Sequence, residues 1–194
     1  EIMPSLVGSE MCIRDSYTRG IFPWGNECYL RSDMYHQYAP FFSELWHKIR
    51  NGESLTYSWN IGMGTNFTSL FAYYLASPSN WFVALFPQKY TIEIMNAFII
   101  LKIAGSSLSL TYYLTKHNNN KHVIAAIFGM FYGMSGFIAA YSWNIMWLDC
   151  VILIPLIMLG LERLVNENRC IFYCITLGLS LIHISEPTRL GMIS

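Results

Sequence analysis

Apolar residues in this chain run in long blocks, not in short alternating runs. Residues 92–115 form the clearest block, long enough as a helix to cross a hydrocarbon core of ~30 Å. The basic stretch Lys116-His-Asn-Asn-Asn-Lys-His122 ends it and reads as a hairpin. Residues 123–141 form a second block, with glycines at 129, 133 and 136. Gly129 and Gly133 make a small-xxx-small pair that lets another helix approach closely. A short turn over 142–149 precedes a third block at 150–165. A fourth begins at 170 and runs to 179.

The first third is more polar. Within it, residues 40–50 predict a helix, with Pro40 at its first position and Gly52 as its stop. Phe41, Phe42, Leu45, Trp46 and Ile49 fall on one face, and Glu44, His47, Lys48 and Arg50 fall elsewhere. An aromatic face backed by basic residues suits a helix lying in the membrane interface, although an ordinary surface helix fits the same pattern. Residues 67–86 allow two readings. They are about long enough to span, but Ser77-Pro78 in their middle has the form of a helix start. Two short interfacial helices are the alternative to one crossing.

Composition supports a membrane protein. The chain has 194 residues, 54% hydrophobic, 16% aromatic and only 12% charged. Soluble domains carry about twice that charged fraction. The formal net charge is zero, so nothing points to nucleic acid. Five cysteines lie scattered, without a CxxC pair or zinc-like spacing, and Cys150, Cys170 and Cys174, in or beside apolar blocks, read as buried thiols. The two ends differ from the rest. Residues 1–16 and 180–194 have no helical period, and they resemble conceptual translations of sequencing-adaptor DNA. The expected native part is residues 17–179 of a longer protein, divided into a loop region at 17–90 and helices at 91–179.

Lysines and arginines of short loops set orientation. Lys116 and Lys121 lie in one loop, and Arg163 and Arg169 in another two spans later. Both loops are expected on the cytoplasmic side, which turns Asp149 outward. Asp33 shares the outer side only if residues 67–86 do not cross.

Three charged residues are candidates for chemistry. Asp33 lies in "RSDMYHQYAP" (31–40), beside a membrane face. A carboxylate there can act as a general base toward a hydroxyl or hold a divalent cation. It can also be a helix cap only. His36 and Gln37 would share its face in a helix, and Tyr35 and Tyr38 could hold a sugar face or anchor at headgroup level. Asp149 directly precedes an apolar block, either as a solvated or paired acid of a site or as an N-cap. Lys102 lies near the middle of its span, where a charge marks function by default. Its expected partner is a lipid phosphate or, at nine residues' distance, Glu93. The glycine-spaced loop "SWNIGMGTNF" (58–67) adds Trp59, Asn60 and Asn66 as substrate-binding candidates. It lacks the P-loop and Rossmann spacings.

Several stretches together carry a resemblance. "GIFPWGN", "SDMYHQYAPFFSELW", "SWNIGMGTNF", "YYLASPSNWFVALFP" and "WNIMWLDCVILIPL" resemble, in order and spacing over 17–179, the bacterial YfhO family of membrane proteins. That family looks related to the GT-C glycosyltransferases, which use polyprenyl-phosphate-linked sugars at the outer membrane face. The resemblance implies an all-α, polytopic GT-C-like bundle with interfacial helices in its first outer loop. It implies a catalytic acid at Asp33, with Asp149 on the same side. It also implies sugar transfer to a cell-wall polymer such as lipoteichoic acid, at the plasma membrane. Donor and acceptor would meet His36, Gln37, Tyr38, Trp59, Asn60, Asn66, Lys102 and Asp149, with a divalent cation as a conceivable cofactor. The competing expectations are a non-enzymatic transporter or flippase component for lipid-linked sugars, and a membrane scaffold. Missing helices would leave the fragment itself inactive.

Overall fold

The computed structural model describes residues 17, 18, 20, 25, 34–117 and 122–184. The chain is an all-α membrane protein, with one two-residue strand pair among the described residues. A π turn at Met34–Tyr38 leads into helix α1, Ala39–Asn51. Pro40 stands at its N-terminus, and Gly52 closes it in the left-handed conformation, at φ 65°. Strands β1 (Tyr57–Ser58) and β2 (Thr65–Asn66) pair antiparallel. Helix α2, Phe67–Leu70, continues as a π turn to Leu75. The chain breaks at Ser77 and goes on as 3₁₀ turns at Pro78–Leu85 and Gln88–Tyr90. Residues 67–86 are therefore not one spanning helix. The break falls where Ser77-Pro78 placed it, although the second half is 3₁₀ and lacks a side-chain cap.

Helix α3 is Thr91–His117, α4 His122–Gly133, α5 Gly136–Tyr141, α6 Ile145–Glu167 and α7 Ile171–Ile184. Among the described residues, three stretches are long and apolar enough to cross a membrane: Gln88–His117, Val123–Tyr141 and Ile145–Glu167. The second is interrupted. Ser135 caps α5 by accepting from the Ile138 N–H, which separates it from α4. The third begins five residues before the expected Cys150. The apolar run of Ile145, Met146, Trp147 and Leu148 is taken into the helix, so Asp149 lies in its second turn and not at the N-cap, which is Asn144. Helix α7 continues past Leu179 to Ile184.

Small residues set the helix spacing. A Cβ on Gly129 would stand 2.0 Å from Thr111 Oγ1, and one on Gly133 would stand 1.9 Å from Ser107 Oγ. The glycine pair thus receives α3 against α4, as small-xxx-small pairs do. Gly160 does the same for α7, where a Cβ would lie 2.8 Å from Tyr173 Cα. Pro155 sits inside α6 and has no N–H for the Val151 carbonyl. Tyr132 supplies the missing donor, its hydroxyl 2.9 Å from that oxygen.

Cross-helix pairs fix the register of α3 on α6. Lys102 meets Asp149, and Tyr113 and His117 meet Glu162. The two helices run parallel, and their C-terminal ends share one side. The loop region packs at the other end. Phe42 lies on Phe98 of α3, Trp46 donates to the Phe86 carbonyl at 2.6 Å, and Gln88 donates to Ser43 at 2.7 Å. The chain that dips inward at Ser77 returns to α1 before α3 begins.

Candidate functional site

Residue type and position place a charge pair at the inner end of this dip. Lys102 is eleven residues into α3, about 16 Å along its axis at 1.5 Å per residue. Asp149 is only four residues beyond the start of α6, about 6 Å. Lys102 is midway along its own helix but one turn inside the end of its neighbour. Lys102 is 5% exposed. Its ammonium stands 2.7 Å from Asp149 Oδ2, 3.3 Å from the Ile145 carbonyl and 3.4 Å from Ser77 Oγ. Three donors thus meet three acceptors, the condition under which a buried ammonium is tolerated. Within the protein its acidic partner is Asp149, not Glu93.

The polar chain continues into the dip. Ser77 Oγ lies 2.8 Å from Ser79 Oγ, which donates to Asn80 Oδ1 at 3.5 Å. Asn80 is 1% exposed, and its Nδ2 has no partner among the described residues. Irregular backbone at this depth is stable only where protein encloses it or a polar cavity lies beside it.

A second line of contacts ties the segment after Asp33 to the same place. Tyr38 is buried, and its hydroxyl donates to Asn144 Oδ1 at the N-terminus of α6. Tyr74 donates to Gln37 Oε1 at 2.8 Å, and its ring meets Tyr38 edge-on at 5.3 Å between centroids. Tyr74 is three residues before Ser77. With the short stretch of chain from Tyr74 to Ser77, these contacts close a ring from Asn144 through Tyr38, Tyr74, Ser77 and Lys102 back to Ile145. Gln37, Tyr38, Lys102 and Asp149, four of the expected site residues, are brought together this way.

The other candidates are placed elsewhere. Asp33 lies outside the described residues. His36 is exposed, its ring edge-on to Tyr35. Trp59 is 77% exposed, with the Tyr57 ring at its edge. Asn60 donates to Glu44 Oε2 at 3.0 Å, and Asn66 caps α2 through Thr68 and Ser69. The hydrogen bonds of Asn60 and Asn66 thus go to α1 and α2, not to the Lys102 cluster. Among the described residues, no three His, Cys, Asp or Glu side chains converge as metal ligands.

The hairpin they belong to is held by a pair on the polar face of α1. Glu44 and Lys48 are both buried. Glu44 accepts from Ser58 Oγ at 2.6 Å, and Lys48 donates to the carbonyls of Ser54 and Tyr57 at 2.9 Å each. Burial pushes the Glu44 carboxyl up, but the Ser58 and Asn60 hydrogen bonds and the Lys48 and His47 charges outweigh it. Its pKa lies below the usual carboxylate value.

Sequence reasoning singled out neither Asn144 nor Tyr74, and treated Ser77 only as a break. For Ser77 part of the signal was available, a serine at a helix break; that it faces Lys102 is a tertiary contact. Nothing in local spacing marks Asn144, because its role depends on where α6 starts.

No curated protein matches the chain, and no solved structure does. A family match is found, over residues 11–183 of the 194, to the family described as bacterial membrane protein YfhO. That span takes in the loop region, the dip at Ser77, both members of the charge pair and all three apolar spans, so the chain belongs to the YfhO family of bacterial membrane proteins.

Proposed function

We propose that the chain belongs to a GT-C-like glycosyltransferase acting at the outer face of the bacterial plasma membrane. Its donor is a polyprenyl-phosphate-linked sugar, and its acceptor is a cell-wall polymer such as lipoteichoic acid. Asp33 takes the proton of the acceptor hydroxyl as that oxygen attacks the anomeric carbon. The bond from that carbon to the lipid phosphate breaks, the phosphate leaves with its electron pair, and the configuration inverts. His36 and Gln37 orient donor or acceptor, and the interfacial segments receive the lipid chain. Family membership supports the reading. One geometric observation carries it: Tyr38, five residues after Asp33, is fixed on Asn144, five residues before Asp149.

A second reading, a flippase-like component for the same lipids, is favoured by the buried Lys102–Asp149 pair beside broken helices, a pattern of transport sites. Proteoliposomes containing the full-length protein separate the two when sugar transfer and lipid translocation are scored independently. Transfer without translocation supports the enzyme. Translocation without transfer supports the flippase and refutes the enzyme.

A further inference from the structure

The ring of contacts around Asn144 and Ile145 has a mechanical meaning. Two separate arms of the loop region are tied to adjacent residues of one helix terminus, the first directly and the second through Lys102. The first arm, which follows Asp33, ends with Tyr38 on Asn144. The second arm, the dip, ends with Ser77 on Lys102, which also holds the Ile145 carbonyl and Asp149. Tyr74 links the arms through Gln37 and the Tyr38 ring. The second arm has little regular structure of its own: a π turn, a break and 3₁₀ turns. Leu75 and Val83 bury its apolar side in the core, and polar contacts fix the rest of it. At the inner end the polar contact is the Lys102 ammonium.

We propose that Lys102 is the positioning residue of the first loop: through Ser77 and Tyr74 it sets where the segment that follows Asp33 lies against α6. Asp149 is its counter-charge and keeps the ammonium aimed at Ser77 and Ile145. Lys102 acts through the segment that ends at Tyr38 and does not itself touch substrate. The inference rests on the catalytic reading of Asp33 but has its own physical readout.

The test uses the full-length protein in liposomes. Lys102→Met alone would leave Asp149 without its counter-charge from Lys102 and could prevent folding. The informative variant is therefore the pair Lys102→Met with Asp149→Leu, which removes both charges together. Amide hydrogen exchange is followed by mass spectrometry, with sugar transfer measured in parallel. Exchange over residues 71–80 is expected to rise roughly tenfold, with α3 and α6 unchanged. The kcat of transfer is expected to fall roughly tenfold, with KM for the lipid donor held. The charge-exchanged pair, Lys102→Asp with Asp149→Lys, is expected to recover part of both. Unchanged exchange over 71–80 in the apolar pair overturns the inference. Faster exchange combined with full activity of an Asp33→Asn variant leaves the tether standing and removes the catalytic reading instead.

Discussion

Lys102 Nζ and Asp149 Oδ2 stand 2.7 Å apart, joining α3 to α6 across 47 residues of sequence. Both groups are largely withdrawn from solvent, at 5% and 14% side-chain exposure. A pair in this setting is costly to break from one side, because the remaining charge has no compensation. Asp149→Leu is expected to destabilise the full-length protein by about 3–5 kcal/mol. The double apolar variant is expected to cost much less than that. Thermal unfolding in detergent checks the ordering. Equal losses in the single and double variants would remove the pair from the account.

Glu44 gives a pH dependence outside the spans. Its folded pKa lies below the ordinary value of 4.5. A depressed carboxylate contributes stability that is present above the unfolded pKa and lost as pH falls through the folded one. Glu44→Gln is expected to be less stable than the parent at neutral pH. The gap is expected to start closing near pH 4.5 and to vanish below the folded pKa. Urea unfolding at a series of pH values reads this directly. A gap that stays constant with pH would show that the carboxylate charge is not the source.

Gly133 tests the helix spacing. A methyl group there would meet Ser107 Oγ at 1.9 Å and the Ile103 carbonyl at 3.2 Å. Gly133→Ala is expected to cost about 1–3 kcal/mol by forcing α3 and α4 apart. Gly136→Ala has open space around its Cβ and serves as the control. Thermal unfolding of the two variants should separate them clearly, and equal stability would refute the close approach.

The sequence made the membrane helices readable because apolar blocks of bilayer length leave few alternatives. Helix α1 was equally legible: Pro40 and Gly52 mark its ends, and the structure places it at Ala39–Asn51. The break at Ser77 was legible as a possibility, since a Ser-Pro pair starts a helix more readily than it continues one. Other features depend on tertiary contact. Lys102 has a partner 47 residues away, and only the register of two long helices selects it over Glu93. Asp149 looked like a boundary residue because the aromatic turn before it was read as a loop. Packing draws that turn into α6 and carries the acid one turn inward. Glu44 and Lys48 were assigned to a polar face away from the core. They are buried because a hairpin folds over them and supplies hydroxyl, amide and carbonyl partners, which no helical periodicity encodes.

Tyr38 links the fold to the proposed chemistry. Tyr38→Phe keeps the buried ring and removes only the hydroxyl bond to Asn144. The expected stability loss is about 1–3 kcal/mol, because a buried amide oxygen loses a partner. Sugar transfer is expected to fall more than binding of the lipid donor, since the segment after Asp33 loses its anchor. A calorimetric donor titration beside a transfer assay checks this split. Parallel losses of binding and transfer would count against an anchoring role.

The central claim is that Asp33 removes the acceptor proton. The most direct measurement is glycosylation of the cell-wall polymer in bacteria whose full-length protein carries Asp33→Asn, with membrane expression verified. The amide keeps the size of the side chain and removes its basicity. A loss of about a hundredfold or more is expected, the usual contribution of a positioned general base. Unchanged glycosylation at normal expression would contradict the account.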